Sequence, residues 1–197
     1  MNEIETLREC GKIHKQIKKE LQTYIKPNMK IIDIVNYIEN NIKLKTNYVP
    51  DKHILSGVAF PTGFSINNCA AHWTPEKNNL QILKENDIVK IDFGIQKNGY
   101  IIDSAFTFSF NNNYQELINA SIEANQVAIK NSGPDSILGE IGKDIQEIIE
   151  SHEIEINNKL YPLKSIGDLT GHSISRYDIH SGKAVPNINI PFYQLRM

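Results

Sequence analysis

The chain has 197 residues, of which 40% are hydrophobic and 22% are charged, a composition typical of a globular protein rather than a disordered one. Its formal net charge of −2 provides no broad electrostatic surface for nucleic acid or an anionic membrane, and no apolar run is long enough to cross a bilayer. Two cysteines are too few for a disulfide framework, and the N-terminus lacks the pattern of a secretory signal. We therefore expect a cytoplasmic protein without DNA or membrane partners, in which residues 1–197 form a single domain.

Helical periodicity dominates the first part of the chain. Apolar residues recur every three or four positions from Ile4 to Ile25 and Pro27 follows, which predicts an amphipathic helix that ends before the proline. A second helix is predicted over Ile31–Leu44. Short apolar pieces between Val58 and Thr74, interrupted by Gly and Pro, indicate brief strands joined by tight turns.

The middle of the chain contains four further predicted elements, two strands followed by two helices: Ile88–Ile95, Tyr100–Phe110, Tyr114–Lys130 and Ile137–Glu150. The two helices are separated by Gly133-Pro134, and the residues after Leu160 indicate short strands and loops. Strands that pair first and are then covered by helices indicate an α+β domain.

The dipeptide Asn98-Gly99, between the two long strands, is well suited to a two-residue type I′ hairpin turn. Such a turn fixes the register of the whole hairpin. The pairs that it predicts are Lys97 with Tyr100, Asp92 with Ala105, and Gly94 with Asp103.

Alternation of side chains then gives the hairpin two different faces. One face is nearly all apolar, and the other holds Asp92 and Asp103 as diagonal neighbours, roughly 7–8 Å apart at the backbone. Gly94 and Ala105 leave room beside the carboxylates, and two metal ions about 3.5–4 Å apart would fit between them. A solvated strand face with two ordinary acids is the alternative, and spacing alone leaves both interpretations open.

Six histidines are present, and three of them lie in glycine-containing loops. His14 and His152 fall in helical stretches and are expected to be ordinary helix residues. His72 follows a small-residue strand, whereas His172 and His180 would point to the same face if one strand joined them. Together with the paired aspartates, the three loop histidines indicate a loosely specified metal or acid–base site.

Three segments resemble type 2 methionine aminopeptidases in their order and spacing. They are Ala59–Pro75, with Phe-Pro-Thr-Gly and Cys-Ala-Ala-His; Ile91–Thr107, with Ile-Asp-Phe-Gly and Gly-Tyr-Ile-Ile-Asp-Ser-Ala-Phe-Thr; and Leu169–Pro186, with Thr-Gly-His-Ser-Ile and Ile-His-Ser-Gly-Lys-Ala-Val-Pro. The resemblance runs from about the first helix to Met197. It implies a pita-bread fold of the creatinase/aminopeptidase kind, in which two pseudo-symmetric halves curve a sheet around a dinuclear metal site.

The same resemblance implies a role for seven residues. The metal ligands would be Asp92, Asp103, which bridges both ions, and His172. The catalytic histidines, which position the scissile peptide and its tetrahedral intermediate, would be His72 and His180. The substrate-binding residues would be Phe60, His72, Ile179 and His180. The two divalent ions would be Co, Mn, Fe or Zn.

A complete enzyme of this kind would remove the N-terminal methionine from nascent proteins, so its expected partners are nascent polypeptide N-termini, with ribosome association as an option. The family places two further glutamate ligands after the position of His180, and here the last glutamate is Glu155. We therefore expect the chain alone to lack both glutamates and the final strands, to hold at most one ion weakly and to be inactive. Two alternatives stay open. One is half of a split enzyme, completed by a C-terminal complement in trans; the other is a non-catalytic relative that binds ribosomes, nascent chains or RNA.

Overall fold

The structure is a computed structural model that describes residues 2–197. These residues form two compact units. Unit 1 contains residues 2–111 together with Ser175–Ile179, and unit 2 contains Asn112–Ile174 together with His180–Met197. The expectation of a single domain over residues 1–197 stays a prediction.

Unit 1 consists of two helices and a four-stranded antiparallel sheet. Its elements are α1 (Glu3–Tyr24), α2 (Ile31–Lys45), β1 (Ser56–Val58), β2 (Gly63–Ile66), β3 (Ile88–Lys97) and β4 (Tyr100–Ser109), with a short 3₁₀ helix at Pro50–Lys52. Strand β3 is central because β4 pairs with it from Ile88 to Lys97, while β1 and β2 pair with separate parts of it.

Helix α1 begins at a capping box. The Asn2 side chain accepts a hydrogen bond from the Glu5 amide (2.9 Å), and the Glu5 carboxylate accepts one from the Asn2 amide (3.1 Å). The apolar face of α1 is buried with α2 and the sheet in one core, and each fully buried Ile or Leu side chain stabilises the fold by roughly 1.5–3 kcal/mol. Core residues with no exposed surface include Cys10, Ile17, Leu21, Ile34, Ile38, Ile42, Phe64, Val89, Ile91, Phe93 and Ile95.

Unit 2 contains two helices and two small hairpins. Its elements are α3 (Gln115–Asn131), α4 (Leu138–Glu150), β5 (Glu153–Ile156), β6 (Lys159–Pro162), β7 (Thr170–His172) and β8 (Ala184–Pro186), preceded by a 3₁₀ helix at Asn112–Tyr114. Strand β5 pairs with β6, and β7 pairs with β8. One core cluster lies between α3 and α4 and includes Ala124, Leu138, Ile141 and Ile145.

The predicted α+β class is confirmed, as are the four helices and the two long strands, each within a few residues of its expected bounds. The β5–β6 hairpin was not predicted, because its turn is Asn157-Asn158, with φ of +54° and +59°, rather than a glycine-containing pair. Among residues 2–197, no helix is both long and apolar enough to span a bilayer.

Candidate functional site

The register predicted for the β3–β4 hairpin is confirmed. Asn98 and Gly99 both have positive φ (+53° and +80°), as a type I′ turn requires. The strands pair as expected: Lys97 with Tyr100, Asp92 with Ala105, and Gly94 with Asp103. Asp92 and Asp103 are therefore diagonal neighbours on one face of the hairpin.

The opposite, apolar face of β3 anchors the hairpin in the core of unit 1. A buried histidine of α1 contributes to this anchoring: the His14 ring stacks on Phe93 with centroids 4.0 Å apart. Its Nε2 lies 3.1 Å from the Phe93 carbonyl oxygen and 3.2 Å from that of Ser104, and since carbonyls only accept, Nε2 donates to both. Burial lowers the pKa of His14. His14 is thus more than an ordinary helix residue, because it fastens α1 to both strands that carry the aspartates.

The aspartate face is bordered by residues with little or no side chain. Gly63 pairs with Asp92 from the β2 side, and Ala105 pairs with it from the β4 side. A methyl group at Gly63 would lie 3.3 Å from the Asp92 Cβ, which is tighter than ordinary packing. Glycine at this position therefore keeps space open beside the carboxylate.

Phe60 packs directly against the same face. A methyl group at Gly94 would overlap with the Phe60 ring, and it would lie 3.0 Å from the Ala59 Cβ. The Ala59 amide also donates to the Gly94 carbonyl oxygen (3.0 Å). Because Gly94 pairs with Asp103, the structure places Phe60, which was expected to bind substrate, beside the position of a proposed metal ligand.

His72 lies on an exposed loop that returns along β2. The Phe64 amide donates to the Trp73 carbonyl oxygen (2.7 Å), and the Thr74 hydroxyl donates to the Thr62 carbonyl oxygen (3.1 Å), so the residues after His72 run beside β2. His72 itself has φ of +63°, an uncommon conformation for a residue other than glycine. The loop is therefore held at a defined place, one strand away from β3.

His172 and His180 are brought together within unit 2. Their ring centroids lie 4.2 Å apart, with the ring planes inclined by 54°. No single strand joins them: β7 ends at His172, and hydrogen bonds then hold the chain on both sides of the intervening residues. The Ser181 amide donates to the Ser173 carbonyl oxygen (2.9 Å), and the Ser173 amide donates to the Lys183 carbonyl oxygen (2.9 Å).

Ile179 is half-buried and belongs to the short segment Ser175–Ile179 of unit 1. The hairpin turn of β3–β4 holds this segment. The Tyr177 amide donates to the Gly99 carbonyl oxygen (2.9 Å), and the Arg176 Nε donates to the Asn98 carbonyl oxygen (2.9 Å). The Arg176 guanidinium also lies over the Tyr100 ring, 5.2 Å from its centroid. The Asn98-Gly99 turn, which was predicted to fix the register of the hairpin, thus also binds the segment that contains Ile179.

A cavity of about 530 Å³ lies beside His172 in unit 2, between α3 and the residues around β7 and β8. Its lining is mainly apolar or small, and among residues 112–174 and 180–197 no aspartate or glutamate contributes to it. It therefore provides His172 with no carboxylate that could share a cation.

The aspartate face fits a divalent cation by its chemistry, since it combines carboxylate oxygens with the free space that Gly63 leaves beside Asp92. The number of metal-ligating side chains is small. Across residues 2–197, no three side chains of His, Cys, Asp or Glu converge into a metal-binding group.

His152 in unit 2 contacts two glutamates of α3, which was not predicted from the sequence. His152 Nδ1 lies 2.6 Å from the Glu116 carboxylate, and its Nε2 lies 3.1 Å from the Glu123 carboxylate. The hydrogen bond to Glu116 is the main reason that the pKa of His152 is raised. The signal was the seven-residue spacing of the two glutamates on α3, which puts both on one helix face. His152 was expected to lie within a helix, but α4 ends two residues earlier, at Glu150.

Comparison with known proteins places the whole arrangement in a family. The model of metallopeptidase family M24 matches residues 5–196. Methionine aminopeptidase 2A of Arabidopsis thaliana is 43% identical over 183 residues, covering 93% of this chain and 41% of the relative. Methionine aminopeptidase 2 of Schizosaccharomyces pombe is 46% identical over 180 residues, covering 91% of this chain and 42% of the relative. The chain thus spans about two fifths of the length of the curated relatives it matches.

Among solved structures, a methionine aminopeptidase of Thermotoga maritima superposes with a TM-score of 0.79 at 25% identity, covering 99% of this chain and 74% of that one. The resemblance to type 2 methionine aminopeptidases and the pita-bread fold, both expected from the sequence motifs, are confirmed by these matches.

Proposed function

The chain belongs to metallopeptidase family M24, and we propose that it contributes catalytic residues to an enzyme that removes the N-terminal methionine from newly made proteins. The observation that carries this proposal is the aspartate face of the β3–β4 hairpin. Two carboxylates are diagonal neighbours on it, Gly63 keeps space open beside Asp92, and Phe60 packs against it over Gly94. The identity of 43–46% to methionine aminopeptidases supports the choice of substrate.

In this proposal Asp92, Asp103 and His172 are metal ligands. Divalent ions bound to such ligands would lower the pKa of a bound water and polarise a peptide carbonyl. The two carboxylates would balance the positive charge and hold it at a fixed place on the rigid hairpin, which costs little reorganisation because β3 is buried on its other face. Carboxylate and imidazole donors suit Co, Mn, Fe and Zn alike.

His72 and His180 are proposed as the catalytic histidines. An imidazole N–H can donate a hydrogen bond to the oxygen of a scissile carbonyl and to the oxyanion that replaces it. Phe60 and Ile179 are proposed to form, with these histidines, the pocket for the methionine side chain. A flexible thioether makes favourable contacts with the edge of an aromatic ring such as that of Phe60.

The proposal needs further carboxylates after His180, and within the 197 residues no glutamate follows Glu155. The remaining ligands and the general base would come from further residues, joined to this chain or provided in trans by a C-terminal complement. If its substrates are the N-termini of nascent polypeptides, the protein would act in the cytoplasm, near ribosomes. We expect the 197 residues alone to bind a divalent ion weakly and to release little or no methionine.

The test is methionine release from a Met-Ala-Ser peptide in the presence of Mn²⁺ or Co²⁺. The 197-residue chain is compared with the same chain extended by the matching C-terminal residues of the Arabidopsis relative. Activity in the extended protein, abolished by Asp103→Ala and retained in the surface variant Asp135→Asn, would support the assignment. Activity in the 197-residue chain itself, or in extended Asp103→Ala, would contradict it.

A further inference from the structure

The outer face of α1 carries a stripe of four cations. Arg8, Lys12, Lys15 and Lys19 follow one another at spacings of four, three and four residues, and all four are exposed. At 3.6 residues per turn they fall within an arc of about 60° and extend over about 16 Å of the helix. We call them the basic stripe. The arc lies opposite the buried side of α1, so the four side chains project to solvent.

Three of the four acidic residues of α1 form hydrogen bonds or ion pairs away from the stripe. Glu5 belongs to the capping box, Lys97 donates to Glu9 (2.7 Å), and Lys45 donates to Glu20 (3.1 Å). Among residues 2–197, no carboxylate forms an ion pair with a member of the basic stripe. The neighbouring Lys18 differs, because its ammonium lies 4.9 Å from the centroid of the Phe106 ring.

Such a stripe opposes the stability of the helix that carries it. Like charges one turn apart on a helix repel one another, and no acidic residue of α1 lies within the arc of the stripe. The protein as a whole is not basic, with a formal net charge of −2, so the stripe is a local concentration of positive charge. An extended polyanion is the ligand whose charge complements it.

We propose that the basic stripe binds the phosphate backbone of RNA. The stripe includes no aromatic side chain that could stack on bases, so recognition would be through phosphates and would not depend on sequence. A membrane surface fits less well, because helices that bind in the interface bury an apolar face in it. The apolar face of α1 is instead buried in the core of unit 1. The choice of RNA over DNA rests on the proposed function, since newly made proteins emerge from an RNA-rich particle.

The test is fluorescence anisotropy with a labelled RNA duplex of about 20 base pairs at increasing salt. Four phosphate contacts predict a slope of log K against log salt of about −3.6, which lowers the affinity roughly 100-fold between about 50 and 200 mM salt. Replacement of all four stripe residues by glutamine, which has a similar helix propensity, should abolish most of the binding and flatten the slope by about 3.6.

A matched control removes the same charge elsewhere. Lys52, Lys77, Lys84 and Lys130 are exposed, and their replacement by glutamine changes the net charge equally. Far-UV circular dichroism verifies that both variants are folded. Loss of RNA binding in the stripe variant alone would support the proposal. Equal loss in both variants, no binding by the wild type at about 50 mM salt, or tighter binding to phosphatidylserine vesicles than to RNA would each overturn it. None of these results depends on peptidase activity.

Discussion

The aspartates in unit 1 and the histidine pair in unit 2 reach their positions by different physical means. The β3–β4 hairpin has ten paired positions on each strand, one turn that sets them, and an apolar face whose β3 side chains are fully buried. His172 and His180 meet instead where a three-residue strand ends, and a few hydrogen bonds around Ser173 hold the chain there. Local sequence can specify the first arrangement, whereas the second depends on contacts between residues that are not periodic.

The largest effect should come from the buried face of the hairpin. Phe93→Ala should lower the free energy of unfolding by about 3–5 kcal/mol, because it leaves a cavity in the core and removes the ring on which His14 stacks. Urea unfolding, monitored by the fluorescence of Trp73, measures this change in the free energy of unfolding. Trp73 packs against the same core. The same substitution at Phe192, whose side chain is 95% exposed, should change stability by less than about 0.5 kcal/mol. Similar losses in both variants would refute the burial argument.

The turn provides a second test, through a pair of substitutions with opposite expected signs. Gly99→Ala places a side chain at φ +80°, 2.5 Å from the Tyr177 ring, and should cost about 1–2 kcal/mol. Gly11→Ala lies within α1, where a methyl group would meet nothing within 4 Å, and should stabilise the protein by about 0.5–1 kcal/mol. The same urea experiment reads both changes. Stabilisation by Gly99→Ala would show that the turn does not determine the hairpin.

Much of unit 1 could be predicted because its signals are local. The Asn98-Gly99 dipeptide fixed the turn, and alternation then placed both aspartates on one face. The His14 contact could not be predicted, since it joins α1 to strands about eighty to ninety residues away. In unit 2, eight-residue spacing suggested a common strand for His172 and His180, but the chain between them leaves β7 and includes Tyr177 at φ +62°.

A smaller loss of stability is expected in unit 2, from the hydrogen bonds around Ser173 that hold the chain beside the histidine pair. The Ser173 hydroxyl accepts hydrogen bonds from the Lys183 amide (3.0 Å) and the Ser181 hydroxyl (3.1 Å). Ser173→Ala should therefore lower the free energy of local opening by about 1 kcal/mol. The Lys183 amide should then exchange its hydrogen roughly fivefold faster. In Ser151→Ala, which loses one hydroxyl contact at the end of α4, that rate should stay unchanged. An unchanged rate in Ser173→Ala would contradict the account.

The smallest effect concerns pH. The pKa of His152 is higher in the folded state than its unfolded value near 6.5. The ion pairs of His152 therefore contribute their full stabilisation at pH values below the unfolded pKa, and this stabilisation is lost as the pH rises through the folded pKa. His152→Gln should thus be less stable than wild type in mild acid by at most about 1 kcal/mol, since both glutamates are exposed, and equally stable in alkali. Thermal unfolding across pH measures the difference. In the Glu116→Gln, Glu123→Gln background this dependence should vanish, and its persistence there would contradict the assignment.

The most direct test of whether the aspartate face binds metal is to measure Mn²⁺ binding to the 197-residue chain. Electron paramagnetic resonance detects the Mn²⁺ that remains free. We predict weak binding that is lost in Asp92→Asn and in Asp103→Asn and retained in Asp135→Asn, whose side chain is exposed in unit 2. Equal Mn²⁺ binding by wild type and Asp103→Asn would contradict the proposal that the hairpin carboxylates hold the metal.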